Sequence, residues 1–185
     1  MTRARQRLCK VIFSGLAALW TGVLPAVDVQ VQGIVIALPD PIRPFIATEA
    51  SPVVVPAGSS LRLIIRSAVE GKMAATIDVA PMPPDLSLAA FWPEYLKGIQ
   101  EEARDAAIEE AIWKRGILQG KTAMAVAKDQ GGEAFTTKIY MLSSKGNDAF
   151  FSVEVQIAKG QDAKDIEKQI DLALAKVRLV KKGAP

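Results

Sequence analysis

Residues 148–179, DAFFSVEVQIAKGQDAKDIEKQIDLALAKVRL, contain a strand pattern followed by a helix pattern. The first half alternates apolar with polar residues between Phe151 and Ile157, which predicts a strand with one buried face. Gly160 interrupts this run, and Asp162 is a typical N-cap residue with Asp165 three positions later, a weak capping box. Apolar residues then recur at three- and four-residue steps: Ile166, Ile170, Ala173, Leu174 and Val177. A helix with such a stripe covers one face of a sheet.

The chain before this unit contains more strand patterns than helix patterns. Alternation predicts strands over 27–38 (bent at Gly33), 53–55, 61–67, 73–80, 121–127 and 135–142. The strands at 61–67 and 73–80 are expected to form an antiparallel pair across a turn. The helical region starts near Ser87; it either runs to Trp113 or stops near Ala107 and gives way to a strand over 112–118. The pattern therefore predicts an α+β fold: an antiparallel β-sheet with an internal helix and a C-terminal amphipathic helix packed on it.

The length allows one domain with a hydrophobic core, since half of the 185 residues are hydrophobic. We assign this single domain to residues 27–180 and expect residues 181–185 to be a frayed tail. No internal repeat or low-complexity tract divides it.

The first 26 residues have the composition of a secretory leader. Four cationic residues precede an uncharged apolar run over 11–27, and Leu24-Pro25-Ala26 provides a small residue for cleavage after Ala26. The alternative is an uncleaved membrane anchor, for which the apolar run is marginal in length. Cys9 precedes the apolar run instead of following it, which is the wrong order for a lipoprotein signal. The sequence therefore predicts a periplasmic or secreted protein that contacts the membrane only if the leader stays attached.

The net positive charge of the chain comes from this leader. Removing residues 1–26 takes away four of the 23 cationic residues and none of the 20 acidic ones, which leaves a net charge of −1. The remaining cations are interleaved with acids and form no stripe, so we do not expect nucleic-acid binding.

The residues absent from the chain exclude several chemistries. The sequence contains no histidine, and Cys9, its one cysteine, belongs to the leader. Catalytic triads, cysteine nucleophiles, thiolate and imidazole zinc sites and disulfides all need these side chains. Paired carboxylates and Mg²⁺ chemistry remain available. We expect a protein that is not an enzyme and carries no cofactor.

Acidic residues are densest near the end of the predicted helix. If the helix continues, Glu102, Asp105 and Glu109 lie on one face, where carboxylates could bind Ca²⁺ or Mg²⁺. A solvated helix face explains the same pattern and is the favoured interpretation, because no calcium-loop spacing accompanies it.

Two regions are candidates for partner binding. The proline segment, defined as Pro39 to Pro56, is an irregular excursion that includes Phe45 and Val54. Trp113 with Arg115 is the second candidate, because tryptophan and arginine concentrate at interface hot spots. Burial in the core is the alternative for Trp113.

Several features recur in one order along the chain: Ser87-Leu88-Ala89-Ala90-Phe91 before the internal helix, Gly120 opening a strand, Gly131-Gly132, 150–157 and 162–179. With these features, the order of elements over roughly residues 34–179 resembles that of PsbP-like α-β-α sandwich proteins. The resemblance implies a small exported or membrane-associated accessory protein, of which the photosystem II extrinsic subunit and bacterial envelope lipoproteins are family types. The chain lacks the lipobox of those lipoproteins and any histidine that could serve as a family metal ligand.

These observations favour an exported, non-enzymatic accessory protein with a partner in the cell envelope. A small-ligand or lipid carrier with a cavity between sheet and helices is the first alternative, suggested by the many Ala and Val residues. A carboxylate-dependent metal enzyme is the second.

Overall fold

The computed structural model of the protein describes residues 27–39, 42–46, 51–66, 71–102, 106–128, 134–145 and 149–180. The proposed leader, Asp105, Gly131-Gly132 and the tail at 181–185 lie outside the described residues. Expectations about them stay predictions.

The described chain forms eleven strands and two helices. In order they are β1 (Asp28–Val31), β2 (Ile34–Ala37), β3 (Ile42–Pro44), β4 (Val53–Val54), β5 (Leu61–Arg66), β6 (Met73–Pro81), α1 (Leu88–Glu102), β7 (Ala107–Arg115), β8 (Leu118–Lys128), β9 (Ala134–Ser144), β10 (Phe150–Ile157), α2 (Ala163–Ala175) and β11 (Arg178–Leu179). A large sheet has the order β3-β5-β6-β10-β9-β8-β7, and its pairs are antiparallel. A small sheet has the order β11-β2-β1-β4.

One face of the large sheet, called here the α2 face, packs against α2 and the small sheet. Its core contains Val153 and Val155 of β10, Ile166 and Ile170 of α2, and Val29 of β1, all buried. Asp162 caps α2 as predicted, because its carboxylate accepts from the backbone N–H groups of Lys164 and Asp165. The strand-then-helix unit inferred from 148–179 is thus confirmed.

The opposite face, called here the α1 face, packs against α1. Trp92 of α1 lies buried there with Ala123, Ile139, Met141 and Phe150 of the sheet. Three layers result: α1, the large sheet, and α2 with the small sheet. The predicted α+β sandwich is confirmed. Within the described ranges, neither helix has the length and apolar character needed to cross a bilayer.

The prediction of one bent strand over residues 27–38 is wrong. β1 and β2 form an antiparallel hairpin in which Val31 pairs with Ile34. Gln32 and Gly33 have φ of 47° and 75°, and two consecutive positive φ values define the two-residue type I′ turn that reverses a chain. A glycine within an apolar run indicated a bend, whereas the backbone makes a full reversal.

The prediction of a helix reaching Trp113 is also wrong. α1 ends at Glu102, and Ala107–Arg115 is strand β7, which pairs with β8 along its whole length. The alternative of a helix that stops near Ala107 is closer, although the strand begins earlier than residue 112. The residues of β7 include good helix formers such as Ala, Glu and Lys, so local propensity favoured a helix, and pairing with β8 overrides it.

Candidate functional site

The acidic residues proposed as metal ligands do not share a helix face. α1 ends at Glu102, Glu109 lies in β7, and Asp105 is outside the described residues. Throughout the described ranges, no three acidic side chains are placed to hold one metal ion. The geometry therefore gives no support to the carboxylate-dependent metal enzyme.

A polar cluster lies between α2 and the large sheet. Asp171 of α2 accepts at Oδ1 from the indole Nε1 of Trp113 (3.1 Å) and from the hydroxyl of Tyr140 (3.0 Å). Arg115 approaches its Oδ2 at 3.2 Å. The Trp113 and Tyr140 rings meet edge to face with their centroids 6.2 Å apart. Three side chains of the sheet thus converge on one carboxylate of the helix.

The side chains of this cluster stabilise the fold, and neither Tyr140 nor Asp171 is available as a reactive group. Burial raises the pKa of Tyr140, and the charge of Asp171 and its hydrogen bond raise it further. A phenol in this environment keeps its proton and cannot act as a base near neutral pH. The carboxylate of Asp171 is engaged by two neutral donors and one cation, so it is not a free nucleophile either. Lys138 and Glu167, 2.5 Å apart, add a second link between sheet and helix.

The α1 face carries polar contacts of the same structural kind. The Trp92 indole donates to Oε2 of Glu110 at 2.8 Å, and the Lys121 ammonium lies 5.9 Å from the centre of the Trp92 ring. The Tyr95 hydroxyl and a carboxylate oxygen of Glu154 are 3.2 Å apart. These contacts fix α1 on the sheet.

A gap in the core tests the carrier alternative. It lies between the small sheet, α2 and the large sheet and is lined by apolar side chains that include Val29, Leu38 and Leu174. The space open to a water-sized sphere is about 20 Å³, whereas ligand sites occupy roughly 300–1,000 Å³. This gap has room for about one water molecule and cannot hold a lipid.

The proline segment exposes large apolar side chains. Phe45 and Ile46 follow β3 at the edge of the large sheet and are 58% and 77% exposed, and Val54 of β4 is 58% exposed. We call these three residues the apolar edge residues. Phe45 and Val54 were singled out from the sequence, whereas Ile46 was not, although it adjoins Phe45.

The Trp113 candidate has a different position. Trp113 lies in a strand, not a helix, and its side chain is 6% exposed and bonded to Asp171. A partner cannot reach a buried indole, so Trp113 belongs to the core interpretation. Arg115 remains at the surface at the end of the same strand. The strand also carries Ile112, 87% exposed, which the helical interpretation did not single out.

Comparisons with known proteins give structural matches only. No protein-family model matches this sequence, and a search of curated proteins gives no match. The Ran-binding protein Mog1p of Saccharomyces cerevisiae matches with a TM-score of 0.56 and 11% identity, over 85% of this chain and 96% of that one. LpqN of Mycobacterium tuberculosis, described as involved in cell envelope biogenesis, matches with a TM-score of 0.50 and 11% identity, over 80% and 83%.

The solution structure of cyanobacterial PsbP (CyanoP) from Synechocystis sp. PCC 6803 matches with a TM-score of 0.35 and 11% identity, over 89% of this chain and 99% of that one. Mog1p and LpqN share a PsbP/Mog1-like α/β fold. Their similarity shows that this chain has the same fold. The PsbP-like layout inferred from the sequence is confirmed as a statement about the fold.

Proposed function

We propose that the protein is an exported, non-enzymatic accessory protein that binds a protein partner in the cell envelope through the apolar edge residues. The observation that carries the proposal is the exposure of Phe45, Ile46 and Val54. Large apolar side chains that are exposed to water raise the free energy of the protein, and a partner that covers them lowers it.

The fold comparisons support a binding function. Mog1p is a Ran-binding protein, so the same fold can present a protein-binding surface. LpqN is described as involved in cell envelope biogenesis, which fits the location proposed from the leader. The lack of histidine, together with a cysteine restricted to residues 1–26, fits a function that needs no reactive side chain.

Cross-linking in intact cells tests the proposal. The full chain with a C-terminal tag is cross-linked in its native host, captured, and compared with the double variant Phe45→Asp/Val54→Asp by quantitative mass spectrometry. A charge at each of these two exposed apolar positions should reduce recovery of the partner at least about tenfold. Circular dichroism confirms that the variant is folded.

Leu172→Asp is the matched control, because Leu172 is exposed in α2 and far along the chain from the proline segment. It should leave recovery of the partner unchanged. The proposal fails if the double variant recovers the same envelope proteins as the wild type, or if no envelope protein is enriched with either.

A further inference from the structure

Among the residues that the structure describes, strand β7 is an open edge of the large sheet. It is last in the strand order, pairs with β8 on one side, and runs for nine residues, AIEEAIWKR. Most of its residues are exposed, and Ile112, which follows the central residue Ala111, is 87% exposed. A long edge strand with an exposed β-branched residue is a template for pairing with another strand.

The hairpin with β8 fixes which backbone groups point outward. Arg115 and Leu118 pair across the two-residue turn Gly116-Ile117, and a β-turn closes with a hydrogen bond from its fourth N–H to its first C=O. Arg115 therefore directs its backbone groups toward β8. Because hydrogen-bonded and non-bonded positions alternate in an antiparallel pair, the backbone groups of Ile108, Glu110, Ile112 and Lys114 point to the open edge.

The side chains of β7 are self-complementary about Ile112. An antiparallel copy centred on this residue places Ile112 opposite Ile112, Glu110 opposite Lys114, and Glu109 opposite Arg115. Unlike charges directly opposite each other stabilise a strand pair. Glu110 accepts from Trp92 through Oε2, and a carboxylate has a second oxygen to offer a cation.

Other symmetric registers lack this match. Centring the pair on Glu110 places two glutamates opposite each other, and centring it on Lys114 does the same with two lysines. Centring it on Ala111 places Glu110 opposite Ile112, and no two charged residues then lie opposite each other. Like charges in direct opposition destabilise a pair, so the register through Ile112 is preferred.

We propose that β7 pairs antiparallel with β7 of a second copy of this chain, about a two-fold axis at Ile112, and joins the two large sheets into one. Such an interface is isologous, because the same strand supplies both sides. Because one strand edge supplies each side of the contact, we expect a weak dimer whose population depends on concentration. The proposal does not depend on the apolar edge residues or on their partner.

Cysteine cross-linking tests the register in the full chain carrying Cys9→Ser. In Ile112→Cys the two Cα atoms lie about 5.5 Å apart across the axis, which is within disulfide range. Mild oxidation should give a disulfide-linked dimer. In the control Ala107→Cys, also exposed on β7, the two Cα atoms lie about 34 Å apart, and no dimer should form. Failure of Ile112→Cys to cross-link, or equal cross-linking of both variants, overturns the register.

Sedimentation equilibrium tests the charge pairing. Lys114→Glu replaces two opposed Glu–Lys pairs by two Glu–Glu pairs and should raise the dimer Kd at least about tenfold. Lys168→Glu, an exposed position on α2, makes the same change of net charge and should leave the Kd within about twofold of the wild type. A wild type that is monomeric over the whole concentration series, or equal Kd values for the two variants, overturns the dimer.

Discussion

Gly120 has no room for a side chain. It lies in β8 between Trp113 of β7 and Leu142 of β9, and a Cβ built on it would come 2.0 Å from the backbone oxygen of Met141. A backbone oxygen cannot rotate away as a side chain can, so any larger residue must separate β8 from β9. Glycine is required here by the neighbouring strand.

We expect Gly120→Ala to lower the free energy of unfolding by about 2–3 kcal/mol, because it forces a methyl group into backbone atoms. Urea denaturation followed by tryptophan fluorescence measures the loss. Gly98→Ala is the control: Gly98 lies in α1 with no atom within 4 Å of the added Cβ, and the gain in helix propensity should stabilise by up to about 1 kcal/mol. Equal changes in the free energy of unfolding for the two substitutions would contradict the conclusion that β9 leaves no room for a side chain at Gly120.

At the scale of elements, one carboxylate joins α2 to two strands of the large sheet. Asp171 accepts from Trp113 of β7 and from Tyr140 of β9, and Arg115 balances its charge. A substitution that removes the Asp171 acceptor should lower the free energy of unfolding by about 1–3 kcal/mol for each of the two donors left without a partner. The docking of α2 therefore depends on polar contacts as well as on its apolar stripe.

Tyr140 makes this docking sensitive to alkali. Its folded pKa lies above the ordinary value of 10.0, so above about pH 10 the unfolded chain loses a proton that the folded chain keeps. The contribution of Tyr140 to the free energy of unfolding is fully present below about pH 10. Above that pH it should fall by about 1.4 kcal/mol per pH unit. Urea denaturation at a series of alkaline pH values measures the slope.

Tyr140→Phe should remove this contribution to the slope, although the variant is less stable at neutral pH because it loses the hydrogen bond to Asp171. The wild type, measured over the same pH series, gives the slope for comparison. An unchanged slope in Tyr140→Phe would show that Tyr140 does not couple α2 to pH.

At the scale of the whole molecule, we propose that the first 26 residues direct the protein out of the cytoplasm. We expect export to remove them, so that intact-mass spectrometry of native material gives a chain beginning at Val27. Ala26→Leu enlarges the residue at the cleavage position and should leave the full chain in the membrane fraction. A cytosolic chain that retains Met1 or Thr2 would contradict both the location and the net charge of −1 calculated for the exported form.

Most strands could be predicted from the sequence because their side-chain pattern repeats every two residues. β5, β6, β9 and β10 lie where the alternation placed them, and α2 begins after Asp162 as predicted. β3 was not predicted, since Pro41 and Pro44 indicated the end of a strand, whereas Ile42–Pro44 pairs with β5 at the sheet edge, where proline is tolerated. The apolar edge residues were partly found, because the proline segment marked their region.

The sequence determined the properties that follow from local pattern and composition: the class of fold, the strand-then-helix unit at 148–179, and the exclusion of histidine and cysteine chemistry from residues 27–185. The tertiary structure decided what depends on contacts between distant residues. Trp113 is buried in the core that includes α2, where Asp171, 58 positions along the chain, accepts its indole hydrogen. Ala107–Arg115 is a strand because β8 pairs with it. Pairing and burial join residues far apart in sequence, so a local pattern cannot encode them.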